Sequence, residues 1–267
     1  DIQKNTGVGP VVAYANIDDT KNIGCIPTAV GSTCLADWSP KINLFSYHDD
    51  SSKKLNELSK LAHGDGEKYE QVRRHANEDG ILYHADCPNL FTCMIRTISF
   101  AFQAMGKDAI LDLSSINENK NIDDGGGISL WWYQGESDSG HPDLCEFHQK
   151  NFPMFHSTLL IVVKAILYFW GSSDEDKQEW NELKILSEMP LDPVVFSVTS
   201  TRVNLPHIRN IRDFQLSYNG YNDTIVVDTF GLPLAEDNIH LNARGVHTAG
   251  EAAYKALQRM RSHRGSR

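Results

Sequence analysis

A near-continuous apolar run, Ile128-Ser129-Leu130-Trp131-Trp132-Tyr133, breaks without transition into Gln134-Gly135-Glu136-Ser137-Asp138. A strand buried on both faces of a parallel sheet reads this way, because it has no polar face to alternate with. In open α/β sheets ligands collect at the carboxyl ends of such strands. Gln134 offers a carbonyl and an amide on a short stem, Glu136 can orient a neighbour, and Gly135 lets the backbone turn or approach a ligand closely. Taken alone, a strand that simply ends in a polar turn accounts for the pattern equally well.

The rest of the chain supplies partners for that strand. Pro193 to Val198 and Thr224 to Asp228 read as two further buried strands, and Gly24 to Val30 as another that ends at Gly31-Ser32-Thr33. A short helix is expected to begin at Val11. Met94, Ile98, Phe102 and Met105 are spaced for a covering helix, as are His148, Phe152, Phe155 and Leu159. The last helix starts at about Ala243, with Asn242 as its cap and Val246, Ala253 and Leu257 on one face. Thr158 to Trp170 is apolar except for Lys164. A bilayer span needs ~20 such residues, so this segment is read as core and no membrane span is expected.

With 267 residues, 40% of them hydrophobic, the chain can enclose one sizeable core. One α/β domain with α/β/α layering is the expectation. The balance of 25 basic against 35 acidic residues gives a net charge of −10. This argues against a nonspecific nucleic-acid binder, whose phosphate affinity comes from clustered Lys and Arg. The single basic cluster, residues 259–267, reads as a solvated tail, and Asn117 to Gly127 as a mobile loop. Five cysteines form no dense framework. His84, Cys87 and Cys93 have the residue types of a zinc site, but no CxxC pair supports one, and neither metal nor organic cofactor is expected. Asn222-Asp223-Thr224 is a sequon that would permit glycosylation of a secreted protein. The chain begins at Asp1, so any signal region would lie upstream, and neither compartment nor oligomeric state is readable.

Far downstream lies Asp237-Asn238-Ile239-His240. An Asp three residues before a His can accept from one imidazole nitrogen and leave the other to take a nucleophile's proton. A lone pattern of this kind is more often an ordinary polar turn before a helix.

Trp132-Tyr133-Gln134-Gly135-Glu136-Ser137-Asp138, followed by Gly231-Leu232-Pro233-Leu234 and Asp237-Asn238-Ile239-His240-Leu241, resembles the sialate O-acetylesterase and carbohydrate esterase family 6 group of SGNH hydrolases, plant-type members above all. Further blocks match in the same order: Thr6-Gly7-Val8-Gly9-Pro10, Ile26-Pro27-Thr28-Ala29-Val30-Gly31-Ser32-Thr33, Asp37-Trp38 and Ile211-Arg212-Asp213-Phe214-Gln215-Leu216. The resemblance covers roughly half the chain. It implies a three-layer α/β/α, flavodoxin-like fold with a mainly parallel sheet, occupying residues 1–258 as one domain. It leaves insertions at about 46–86, 106–126 and 156–188.

The resemblance also implies a carbohydrate O-acetylesterase using a Ser-His-Asp type mechanism, with acetylated carbohydrate as its partner. Asp237 would orient, His240 would be the base, the N–H of Gly31 and the amide of Gln134 would be oxyanion donors, and Glu136 would support them. Ser32 stands where the family has a second Gly. The family's nucleophile lies in a Gly-Gln-Ser-Asn block after the first strand, and none precedes Thr6. An N-terminally incomplete domain is the expectation, with Ser173 in Gly171-Ser172-Ser173-Asp174 as an internal substitute of the same shape. Two alternatives stand beside the esterase: an inactive relative that binds carbohydrate or another ligand, and a fragment without function.

Overall fold

The computed structural model describes residues 26, 28, 33–39, 58, 90–106, 128–171, 191–201 and 204–264. Its elements in chain order are α1 (Leu35–Trp38), α2 (Leu90–Met105), β1 (Ser129–Trp132), α3 (Pro142–Gly171), β2 (Asp192–Phe196), α4 (Ile208–Ser217), β3 (Ile225–Val227) and α5 (Ala243–Arg264). The three strands form one parallel sheet in the order β1-β2-β3, with Trp131 beside Val194 and Val194 beside Ile225.

The alternation of side chains along each strand divides the core in two. Trp132 and Val195 face one side, where they join Phe91, Met94, Ile98 and Phe102 of α2 and Phe152, Phe155, Leu159 and Val163 of α3. Val194, Phe196 and Val227 face the other and pack on Ala249, Ala253 and Leu257 of α5. Helices therefore cover both faces, and the architecture is α/β with a parallel sheet flanked by helices. All five residues of β2 are buried, as a central strand requires.

Most of the expected helices and strands lie where their periodicity puts them. Met105 is the exception in α2, 42% exposed on the helix's last turn, while Met94, Ile98 and Phe102 are buried. The expected strand over 24–30 and the helix from Val11 lie largely outside the described residues, although Ile26 packs against the core. The loop expected over 117–127 and the insertions over 46–86 and 106–126 lie there too, apart from Leu58, which is buried, and Gly106. Cys93 is buried on α2, and its companions in the zinc reading, His84 and Cys87, also fall outside.

The insertion expected at about 156–188 is described as far as residue 171. α3 runs unbroken to Gly171, with His156, Leu159, Leu160, Val163 and Leu167 all buried, because the apolar spacing that starts at Phe152 continues for four more turns. By length and composition α3 could cross a membrane; here its buried side faces the core. The described part of the basic tail, residues 259–264, continues α5. Arg261 Nε donates to Asp192 Oδ2 at 2.7 Å, joining the helix to the first residue of β2. Its guanidinium also reaches Ser129 Oγ on β1 at 3.4 Å.

One face of α3 buries a stack of rings: His148 on Phe152 with centroids 5.2 Å apart, and Phe152 on His156 at 5.5 Å. Spacing of four residues sets them one above another. Burial favours the neutral ring and lowers the pKa of His156 to about 4. A depressed His pKa means that the unfolded chain takes up the proton first. Stability is fully present above the ordinary value of 6.5 and falls as pH drops toward about 4. The expected loss over that interval is ~3 kcal/mol. Urea midpoints at pH 7 and pH 4.5 measure it, and His156→Leu should flatten the difference.

Candidate functional site

The site is assembled at the carboxyl ends of the three strands. β1 ends at Trp132, and Gly135, three residues past it, has φ +141. A Cβ there would lie 2.9 Å from Ile211 Cγ2, 3.1 Å from Val198 Cγ1 and 3.2 Å from Gln215 Nε2. Only glycine meets both the backbone angle and the space. A one-turn helix, Ser137–Gly140, then carries the chain into α3.

Gln215, fully buried on α4, ties the strand ends together. Its Nε2 donates to the Gln134 carbonyl at 2.8 Å, and its Oε1 accepts from the Val198 N–H at 2.8 Å. One side chain thereby satisfies a carbonyl past β1 and an amide past β2.

Asp138 is a second fixed centre, with no exposed surface. The Leu35 N–H points at both carboxylate oxygens, at 3.1 and 3.2 Å, and Gln134 Nε2 donates to Oδ2 at 2.5 Å. His148 Nδ1 lies 3.2 Å from the same oxygen. Gln134 Nε2 also donates to the Thr33 carbonyl at 2.9 Å. The segment thus held on β1 is itself braced, with Trp38 Nε1 donating to Thr33 Oγ1 and the Cys34 N–H to Asp37 Oδ2, each at 2.8 Å. Asp37 and Trp38 each supply one of these bonds.

The third strand leads into a tight hairpin. After β3, the Thr229 N–H donates to Ser197 Oγ at 3.0 Å, and an antiparallel bridge joins Leu234 to Leu241. Within it the Ala235 N–H donates to the His240 carbonyl at 2.7 Å, and Asn238 takes a left-handed φ of +57. The Asn238 carbonyl accepts from the Thr201 N–H at 3.1 Å and from Ser200 Oγ at 2.7 Å, which fastens the hairpin to the end of β2. Asn242 caps α5: its Oδ1 accepts from the Gly245 N–H at 3.0 Å and its Nδ2 donates to the Leu234 carbonyl at 3.1 Å.

Asp237 and His240 stand at the tip of this hairpin. His240 Nδ1 is 2.5 Å from Asp237 Oδ2, and Asp237 Oδ1 accepts from the N–H groups of Ile239 and His240 at 2.9 and 3.0 Å. Partial burial pushes the Asp237 carboxyl up, but these backbone bonds and the imidazole outweigh it and hold the pKa at about 2. The carboxylate is therefore ionised wherever the ring could act as a base. What its bonds contribute to stability is present above the ordinary value of 3.8 and lost as pH falls toward about 2. Both side chains remain reachable, at 40% and 48% exposed.

Glu136 links the two halves of the site. Burial raises its pKa, its own backbone N–H and the charge of His240 pull it down, Asp138 adds to the rise, and His148 opposes it. Burial also raises the thiol of Cys34, with the charges of Asp37 and Asp138 adding to it, and the phenol of Tyr133, with Glu136 adding to that. Neither group is an anionic nucleophile at neutral pH.

Comparison with solved structures finds a structural likeness. A protein from Arabidopsis thaliana, known by X-ray crystallography, matches with a TM-score of 0.39 and 20% identity, over 66% of this chain and 54% of that one. This chain spans about half the length of that protein. No protein-family model matches the sequence, and no curated protein does.

Of the residues singled out from sequence, Gln134, Glu136, Asp237 and His240 all lie at the strands' carboxyl ends, and Gly31 and Ser173 lie outside the described residues. The amide of Gln134 is engaged: Thr33 and Asp138 accept from its one nitrogen, which has two protons to give. An oxyanion can draw on it only by sharing or replacing one of these acceptors. Sequence reasoning passed over Asp138, His148 and Gln215, although two of them stand inside blocks already noticed.

The hairpin is held close to α5. A Cβ on Gly245 would sit 2.4 Å from the Pro233 carbonyl oxygen and 3.2 Å from Leu241 Cβ. Gly245→Ala is expected to cost ~2 kcal/mol through forced displacement of the hairpin. The shift in urea midpoint measures it; an unchanged midpoint would mean the contact relaxes freely.

Proposed function

We propose that this chain is an SGNH-type carboxylic-ester hydrolase that removes acetyl groups from carbohydrate. The observation that carries the reading is the Asp237–His240 pair, whose Nδ1 is locked at 2.5 Å while the ring stays half-exposed. Asp237 fixes the proton on Nδ1 and leaves Nε2 as the acceptor. The sequence blocks shared with carbohydrate esterases point to the acyl and sugar classes.

In this mechanism His240 Nε2 takes the proton of a serine hydroxyl as its oxygen attacks the acetyl carbon. The carbonyl π electrons move to the oxygen, where the Gly31 N–H and the Gln134 amide, exchanging one present acceptor, stabilise the charge. When the tetrahedral species collapses, the sugar oxygen leaves with the proton from His240. Water then repeats the sequence on the acetyl-enzyme and releases acetate. The family's Gly-Gln-Ser-Asn nucleophile block is not evident in these residues, and Ser173 stands only as an internal substitute for it. Glu136 supports the base from the end of β1. Acetylated sugar suits a surface of net charge −10 better than a polyanion does.

A second reading, an inactive relative that binds acetylated carbohydrate, is favoured by the engaged Gln134 amide. It also fits the imidazole of His240, whose Nε2 makes no hydrogen bond to a hydroxyl among the described residues. Acetate release from acetylated xylo-oligosaccharides separates the two. Turnover at pH 7 to 8 supports the hydrolase. Calorimetric binding of the same oligosaccharide with no acetate released supports the binder.

A further inference from the structure

The proposed mechanism leaves a buried acid unused. Asp138 has no exposed surface, yet its carboxylate accepts from two parts of the chain, the Leu35 backbone and the Gln134 amide past β1, while the ring of His148 on α3 lies 3.2 Å away without a hydrogen bond. A carboxylate without solvent is costly unless its oxygens are matched by donors, and these two donors reach both oxygens. Both donors also define the site. Gln134 is fixed in rotamer by accepting groups on either side of its nitrogen, Thr33 and Asp138, and the same pair holds the Thr33–Leu35 backbone against β1.

We infer that Asp138 is the positioning residue of this rim, setting the orientation of the Gln134 amide and docking the Thr33–Leu35 segment on β1, with the buried ring of His148 closing its third side. The inference deepens the hydrolase reading, and its function in turnover rests on that reading. Its geometry does not.

A change of the same shape without acceptors exposes the role. In Asp138→Leu neither oxygen remains, so the Gln134 amide and the Leu35 N–H both lose their acceptor on this side chain.

Two measurements on the full chain test this. The first follows the Gln134 side-chain NH2 resonances by 15N NMR, assigned by their absence in Gln134→Ala. Slow solvent exchange in the wild type that becomes fast in Asp138→Leu is the expected result. Fast exchange in the wild type, or no change in the variant, overturns the inference even if acetate release is vigorous. The second is kinetic. Asp138→Leu should lower kcat for acetate release at least ~30-fold with KM within threefold, while in a Gln134→Ala background it should lower kcat less than threefold further. Equal losses in both backgrounds would mean that Asp138 serves the fold alone, and would overturn its action through Gln134. Should the wild type release no acetate, the hydrolase reading fails, and the exchange measurement decides the positioning role by itself.

Discussion

Asp237→Asn is expected to lower acetate release by ~10³ to 10⁴-fold while the chain remains folded. The carboxylate accepts from Nδ1 through Oδ2 and from two backbone N–H groups through Oδ1. An Asn side chain keeps its oxygen toward the two backbone donors and turns its NH2 toward the ring. Nδ1 must then accept, the ring proton moves to Nε2, and the atom meant to take the nucleophile's proton already holds one. The pair is partly exposed, so the hairpin should lose little stability. A loss of turnover under tenfold, with the thermal midpoint unchanged, would mean that this pair is not the catalytic base.

Gly135→Ala should be the most damaging single-methyl change in the described residues. The added carbon would meet Ile211 at 2.9 Å, Val198 at 3.1 Å and Gln215 at 3.2 Å, at a φ of +141 that non-glycine residues avoid. Two of those neighbours, Ile211 and Val198, are fully buried, and the third bridges the strand ends. Relief requires moving β1 from β2 or turning Gln215 out, which would strand the Gln134 carbonyl and the Val198 N–H. The expected cost is ~4 kcal/mol, the sum of overpacking, backbone strain and one lost hydrogen-bonded bridge. Chemical denaturation measures it, and a loss below ~1 kcal/mol would show that the strand ends are not packed as described.

What could be read from the sequence was local in origin. β1 announced itself because an apolar run stops where its buried length stops, and α3 because His148, Phe152, Phe155 and Leu159 recur at helical spacing. The Asp237–His240 contact spans three residues, and the Asn242 cap uses a bond to the third residue on, so both were visible in a short window. Asp138 was not, since its Leu35 partner lies 103 positions away and nothing near it in the chain marks it as buried. Arg261 was misread for the same reason. Among basic and polar neighbours it looks solvated, and only the fold brings Asp192, 69 positions back, to its side. Gln215 sat within a recognised block, but a bridge between two strand ends has no signature in one helix. Three strands placed side by side turn these distant positions into neighbours.

Whether His240 is the base of an acyl-transfer site is decided by treating the folded chain with a serine-reactive phosphonate and with an acetyl ester, then locating adducts by peptide mass spectrometry in the wild type and in His240→Ala. Turnover together with a single labelled serine, both abolished in His240→Ala, is the expected result. Neither label nor turnover from a cooperatively folded wild-type sample, or labelling that persists unchanged in the variant, would contradict it.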